Sequence, residues 1–210
     1  MCGFVFLYQA ERSADELNRC GVRALDRIVH RGPDERGLQT GASWLMGHQR
    51  LSIVDLGSSH QPMYSPDRTW ILAYNGEVYN YRELRAQLEP HWQFRTDGDT
   101  EVVLAGLITR GTAFLSDMEG MWALALWHKD SQRLLLTRDR MGKKPLYFQH
   151  VGEGLACASE LPALQALELA EFRETYRREC FQNGIDYVPL DTSMQFDKAL
   201  MEYLLMRRGR

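Results

Sequence analysis

The chain has 210 residues, a formal net charge of −3 at pH 7, 44% hydrophobic residues and 25% charged residues. This apolar fraction excludes a disordered chain, and the longest apolar run, residues 121–127, is far shorter than the roughly 18 residues of a membrane span. The small acidic charge gives no electrostatic reason to expect nucleic acid or an anionic membrane as a partner. The length fits one full domain with an additional segment.

The N-terminus lacks the basic and apolar regions of a secretory signal. Four cysteines show neither zinc-ligand nor redox spacing: Cys2, Cys20, Cys157 and Cys180. We therefore expect a cytoplasmic protein with free thiols, no metal and no cofactor.

The first third of the chain alternates apolar runs with turn signals. A run of β-forming residues predicts a strand at 3–8, and Ser13–Glu16 has the form of a capping box at the start of a helix. Residues 30–37 combine turn residues with charges and predict a loop. Further apolar runs predict strands at 44–54 and 69–74.

Helix signals come next. Asn80 is predicted to cap a helix that ends at Leu88, and Asp99 or Thr100 to cap another that stops at Gly111. Four apolar runs then predict strands at 121–127, 133–137, 146–149 and 155–158. Because these runs are apolar throughout, we expect burial on both faces and therefore stacked layers.

Cys2 is the first candidate for chemistry. Removal of Met1 would place a thiol and a free α-amine in one residue, and an α-amine with a pKa of roughly 7.7 to 8.0 can take up and return a proton near neutral pH. The alternative is that Cys2 is a small residue at the entrance of a strand.

Three polar positions have two interpretations each. Asn75 and Gly76 follow the strand predicted to end at Tyr74, where they form either a hairpin turn or the two donors of an oxyanion hole. Arg50 either pairs with an internal carboxylate such as Asp55 or binds a ligand carboxylate. Asp99 either caps a helix or receives a ligand ammonium.

Together the motifs resemble the class II glutamine amidotransferase domain, as found at the N-terminus of bacterial glutamine-hydrolysing asparagine synthetases. The matching segments keep the family's order and spacing: residues 1–3, 30–37, 47–56, 74–80, 97–101, 120–127, 138–147 and 158–160. The resemblance implies an α+β fold, a four-layer α-β-β-α sandwich of the N-terminal-nucleophile hydrolase type.

The resemblance also implies the residue roles. Cys2 would attack the side-chain amide of L-glutamine, and Asn75 with Gly76 would hold the oxyanion. Arg50 would bind the α-carboxylate, and Glu77 with Asp99 would receive the α-ammonium. The loops at 31–34 and 138–147 are assigned mainly structural roles, with Arg138 and Asp139 paired to neighbouring charges.

The sequence departs from the synthetases beyond residue 165. We divide it into a glutaminase domain at 1–165 and a C-terminal helix-strand-helix tail at 166–210. The tail is predicted to contain a helix at 171–182, a strand at 186–190 and a helix at 196–207. Residues 176–210 weakly resemble the last strand and helix of a von Willebrand factor A-like family, and the alternatives are an appendage on the sandwich or an unanchored helical tail.

No Ser-Gly-Gly-x-Asp-Ser pyrophosphate loop and no P-loop is present, so we expect this chain alone not to use ATP. The predicted function is hydrolysis of glutamine to glutamate and ammonia, with a separate synthetase domain or subunit as the acceptor. The alternatives are a non-catalytic glutamine-binding or scaffold module, and a truncated or fused remnant of a synthetase.

Overall fold

The computed structural model describes residues 1–51 and 59–183, and the chain divides into two compact units, Met1–Glu168 and Leu169–Arg210. The strands are β1 (Gly3–Tyr8), β2 (Glu35–Thr40), β3 (Trp44–Arg50), β4 (Met63–Tyr64), β5 (Trp70–Val78), β6 (Gly120–His128), β7 (Arg133–Arg138), β8 (Tyr147–Val151) and β9 (Gly154–Ala158). The helices are α1 (Ala14–Asp26), α2 (Tyr81–Leu88), α3 (Asp99–Arg110) and α4 (Leu161–Gln182), with 3₁₀ turns at Val29–Arg31 and Gly111–Ser116.

The first sheet has the strand order β2-β3-β1-β9-β8, and its neighbouring strands are antiparallel. In this sheet β1 is central, and Gly3 is opposite Gln49 of β3. Residue 2 therefore lies at the end of the sheet where β1 begins and β3 ends.

The second sheet has the order β4-β5-β6-β7. Its two long strands, β5 and β6, pair along their whole length, from Trp70 opposite His128 to Val78 opposite Gly120. By contrast, β4 pairs with β5 only at Leu72 and Ile71. The outer edge of β5 is therefore free of a strand partner from residue 73 onward, among the described residues.

The two sheets stack face to face with one helical layer outside each. The layer between the sheets contains aromatic and small apolar side chains, including Phe4, Phe6, Ala73, Ala123 and Trp127. On the far side of the second sheet, α2 and α3 bury a second cluster. On the far side of the first sheet, α1 packs so closely that a Cβ at Gly47 would lie 2.9 Å from Leu25 Cδ1. The unit is thus an α-β-β-α sandwich, as the resemblance implies.

Most predicted elements are present, with shifted bounds. The strand predicted at 69–74 continues to Val78, so Asn75 and Gly76 lie inside β5, and both the turn interpretation and the predicted strand end at Tyr74 were wrong. The loop predicted at 30–37 contains the start of β2, which sequence reasoning missed together with β4. The strand predicted at 44–54 is observed as β3, and residues 52–58 lie outside the described part.

The capping box of Ser13 and Glu16 is confirmed, whereas the other two predicted side-chain caps were wrong. Asn80 is the N-cap of α2, but its side chain instead bonds Asp117 O and Glu119 N. Gly98 is the N-cap of α3, and Asp99 is the first residue of that helix. The Asp99 carboxylate accepts from the Tyr74 hydroxyl instead of capping the helix.

The end of α3 is as predicted, because Gly111 closes it with a left-handed φ of 64°. The helix predicted at 171–182 is part of α4, whereas the strand at 186–190 and the helix at 196–207 lie outside the described residues. No helix within 1–51 and 59–183 is long and apolar enough to cross a membrane.

Candidate active site

Cys2 lies one residue before β1 and is half-buried. Its thiol donates to the carbonyl of Leu51 at 3.6 Å, and its sulfur accepts from the Leu51 amide at 3.4 Å. The sulfur is thereby held beside the last described residue after β3, the strand that ends with Arg50.

Arg31 fixes the main chain at Cys2. Its Nε donates to the Cys2 carbonyl at 2.8 Å, and its Nη1 forms an ion pair with Glu160 Oε1 at 2.8 Å. A Cβ at Gly3 would lie 2.8 Å from Arg31 Cδ, so glycine is needed for the buried arginine to pass. These contacts agree with a structural role for Arg31. They also give Glu160, which comes shortly after β9, a role as the ion-pair partner of Arg31.

Asn75 brings an amide donor into the interior of the second sheet. It is 1% exposed, and its Nδ2 has no hydrogen-bond partner within the described part of the chain. A buried polar nitrogen without a partner costs about 1 to 3 kcal/mol, so it calls for an explanation. A ligand oxygen would supply the partner.

The backbone N–H of Gly76 points to the free edge of β5. Trp122, opposite Gly76, directs its own N–H and C=O to Asp139 on its far side. The pair is therefore the non-hydrogen-bonded kind, in which both residues direct their backbone groups away from each other. The Gly76 N–H lies on the same edge of β5 as Tyr74 N and Val78 N, which donate to the side chains of Gln61 and Asp99.

Asp99 lies against this same edge. Its Oδ2 accepts from the Tyr74 hydroxyl at 2.8 Å and from Val78 N at 3.0 Å. Burial raises the pKa of Asp99 above its ordinary value, the bonds from Val78 and Tyr74 oppose this, and the charge of Glu77 adds to it. Asp99 is therefore a buried acid held by two donors, which suits it to a cationic group.

Arg50 is buried at the end of β3 and pairs with Glu35 Oε2 at 3.1 Å. Glu35 also contacts His60 Nδ1 at 2.6 Å. Burial alone raises the pKa of Glu35, but the bonds from His60 and Arg50 bring it below its ordinary value. One internal carboxylate that pairs with Arg50 is therefore Glu35, whereas Asp55 lies outside the described residues.

Tyr74 interacts electrostatically with three of the predicted site residues. Burial raises its pKa well above the ordinary value, and the charges of Asp99, Glu77 and Cys2 add to this. Glu77 itself is exposed, on the strand that bears Asn75.

Two further residues hold the backbone of Tyr74, and sequence reasoning missed both. Gln61 takes the place of a strand partner, since its Oε1 accepts from Tyr74 N at 2.7 Å and its Nε2 donates to Tyr74 O at 3.0 Å. His48 Nε2 donates to the same carbonyl at 3.0 Å. No local pattern indicates these contacts, because they join β5 to residues 13 and 26 positions away.

The loop after β7 has the structural role expected of it, but through other contacts. Asp139 accepts four backbone N–H groups, from Trp122, Met141, Lys143 and Lys144, so the prediction that it pairs with a charge was wrong. Burial opposes ionisation of Asp139, yet these bonds lower its pKa. Among the described residues, no group of three or more His, Cys, Asp or Glu could hold a metal ion.

Sequence comparison gives a consistent result. The profile of the glutamine amidotransferase domain family matches residues 1–199. Asparagine synthetase B from Escherichia coli is 38% identical over 165 residues, which cover 78% of this chain and 30% of that protein. A putative asparagine synthetase from Mycobacterium bovis is 41% identical over 198 residues, 89% of this chain and 28% of that protein. The chain thus spans about a third or less of these relatives.

Structural comparison supports the same architecture. Glutamine phosphoribosylpyrophosphate amidotransferase from B. subtilis superposes with a TM-score of 0.66 and 21% identity. The superposition covers 79% of this chain and 43% of that enzyme. At this identity the likeness concerns the fold alone.

Proposed function

The chain belongs to the class II glutamine amidotransferase domain family, and from that premise we propose that it hydrolyses L-glutamine with Cys2 as nucleophile. The observation on which the proposal rests is the pair of donors at Asn75 and Gly76. Among residues 1–51 and 59–183, one is a buried amide nitrogen without a partner, and the other is a backbone N–H on the edge of β5 that no strand covers.

Removal of Met1 comes first, because the nitrogen of Cys2 is otherwise an amide and cannot act as a base. The free α-amine then takes the thiol proton, and the thiolate adds to the side-chain amide carbon of glutamine. The oxyanion accepts from Asn75 Nδ2 and Gly76 N. The ammonium form of the α-amine protonates the leaving nitrogen, ammonia departs, and water hydrolyses the γ-glutamyl thioester to glutamate.

The α-amino acid head of glutamine gives the site its selectivity. The planar guanidinium of Arg50 matches a carboxylate, and a substrate carboxylate would join Glu35 as its partner. The carboxylates of Asp99 and Glu77 match the α-ammonium. Amides without this head would leave these charges unsatisfied and would bind weakly.

The ammonia would pass to a separate acceptor. We infer a synthetase domain or subunit in this role, because the asparagine synthetases that match this chain extend well beyond the matched part. We also propose that the reaction takes place in the cytoplasm and uses no cofactor. The four cysteines are free thiols, as a reducing compartment requires.

The test is release of ammonia and glutamate from glutamine by protein whose N-terminal residue is Cys2. Cys2→Ala should abolish turnover. Cys20→Ala, which replaces a different cysteine located on α1, should retain it. Turnover that persists in Cys2→Ala would overturn the mechanism. Glutamine binding measured by calorimetry, without ammonia release by the processed wild type, would favour the non-catalytic alternative instead.

A further inference from the structure

Tyr74 is almost fully buried, with 2% of its surface exposed, and it lies on the helix-facing side of β5. Its hydroxyl donates to Asp99 Oδ2 at 2.8 Å, across the gap between the second sheet and the start of α3. The Val78 amide donates to that same oxygen. Two donors from β5 thus fix one oxygen of the Asp99 carboxylate.

The ring of Tyr74 reaches Asp99 by lying beside Gly76. A Cβ at Gly76 would lie 2.7 Å from Tyr74 Cε2, closer than side chains approach. Gly76 therefore makes room for the tyrosine ring, besides providing an N–H at the edge of the strand. The backbone of Tyr74 is also fixed, since Gln61 and His48 bond its polar groups.

From these contacts the geometry points to Tyr74 as a positioning residue that holds the Asp99 carboxylate in place to receive the α-ammonium of the substrate. This inference rests on the proposed function. Because both donors bond Oδ2, they set the orientation of the whole carboxylate, and the ammonium would bind at its other oxygen. Within the described part of the chain the Tyr74 hydroxyl bonds Asp99 and not Cys2, so Tyr74 acts on binding through Asp99.

The hydroxyl also favours the ionised form of Asp99. A buried carboxylate loses hydration, and each hydrogen bond that it accepts restores part of this loss. The groups that act on Asp99 include the Tyr74 and Val78 donors, which favour the ionised form, and the Glu77 charge, which disfavours it. Loss of the hydroxyl would shift the balance towards the protonated acid, which binds an ammonium poorly.

Tyr74→Phe tests the inference, because the ring stays beside Gly76 and only the hydroxyl is lost. Because a hydrogen bond to a charged group is lost, the KM for glutamine should rise about 10-fold or more while kcat changes by less than about 3-fold. The acid limb of kcat/KM should move to higher pH, since Asp99 would protonate more readily. In an Asp99→Asn background, the same Tyr74→Phe change should leave kcat/KM unaltered.

Tyr64→Phe is the matched control, because it removes a part-buried hydroxyl that donates to Gln39. It should alter neither KM nor the acid limb. Tyr74→Phe could instead lower both kcat and the thermal unfolding midpoint while KM and the acid limb of kcat/KM stay unchanged. That result would mean a merely structural role and would overturn the inference. A processed wild type that releases no ammonia would instead overturn the proposed function, so the two failures are distinguishable.

Discussion

At Asn75 the folded protein tolerates a buried amide nitrogen without a partner in the described part of the chain. An unsatisfied buried donor lowers stability, and such groups persist where catalysis uses them. A donor already in place needs no reorganisation when negative charge develops on the substrate oxygen. Under the proposed mechanism, the stability lost at Asn75 would be offset by stabilisation of the transition state.

Replacement of Asn75 by leucine, a residue of similar size without polar atoms, should separate these two effects. The kcat for glutamine should fall about 10²- to 10³-fold, as for loss of one oxyanion donor. The urea midpoint should stay equal or rise, because no hydrogen bond of the Nδ2 group is lost. A variant that keeps the wild-type kcat would exclude Asn75 from the oxyanion hole.

The Asn75 and Asp99 positions show how far the sequence alone reaches. Residue types indicate suitable chemistry, but Asn-Gly is also the signal of a hairpin turn, and Asp before a helix is also the signal of a cap. The choice depends on pairing with β6 and on the distant hydroxyl of Tyr74, neither of which is local. The family resemblance supplied the roles that the local pattern left open.

At the scale of elements, β3 and β5 belong to different sheets, and His48 joins them. The imidazole is fully buried, and its Nε2 donates to Tyr74 O, the carbonyl next to Asn75. Burial lowers the pKa of His48 from 6.5 to about 4, so the folded protein holds it neutral. The bond thus anchors the strand of the oxyanion donors to the strand that ends with Arg50.

This anchor should make stability depend on pH. In the unfolded chain His48 protonates near pH 6.5, whereas in the folded protein it protonates near pH 4. Stability from this group is therefore complete above pH 6.5 and is lost as the pH falls towards 4. The loss amounts to about 3 kcal/mol, at 1.36 kcal/mol per pKa unit.

His48→Gln places an amide donor near the position of Nε2 and removes the titration. Urea unfolding at a series of pH values should show that wild type loses more stability than this variant below pH 6.5. His91→Gln, at an exposed position, should follow the wild-type curve. Parallel curves for wild type and His48→Gln would contradict the assignment of a buried neutral imidazole.

Elements with a continuous apolar pattern could be predicted from sequence, whereas β2 and β4 could not. The β2 strand, Glu35–Thr40, contains charged and polar residues and is mostly half-exposed at the edge of its sheet, so no hydrophobic period marks it. The β4 strand has only two residues, below the length at which a pattern is visible. Pairing with β3 and β5, respectively, defines them.

At the scale of the whole molecule, the stacked sheets were expected from strands buried on both faces. This burial is confirmed for β6 and β9, whereas the expectation was wrong for β7, which is half-buried, and for β8, which is mostly exposed. The order of the strands in the sequence does not indicate that β1, β3 and β5 would meet. They meet through tertiary packing of the layer between the sheets, which includes Phe4, Phe6 and Ala73. Pairing within the first sheet places the start of β1 beside the end of β3, and stacking packs both strands against β5. The proposed nucleophile and oxyanion donors therefore depend on the assembled sandwich and not on any one segment.

Met1 precedes the proposed nucleophile at the N-terminus of the chain. Met1 is 60% exposed, so its removal disrupts no buried contact of its side chain. Two forms that differ only by Met1 should therefore have the same unfolding midpoint. Their turnover should differ by about 10²-fold or more, because general-base catalysis of that size needs the free α-amine of Cys2.

The two forms can be made by cleavage of a fusion directly before Met1 or directly before Cys2, and intact mass identifies each. The form that begins with Cys2 should release ammonia with an activity that rises towards pH 8, as its amine, with a pKa of roughly 7.7 to 8.0, becomes free. The same form bearing Cys2→Ala provides the blank. Equal turnover with and without Met1 would exclude the α-amine as the base and would leave the thiol to be activated by another group.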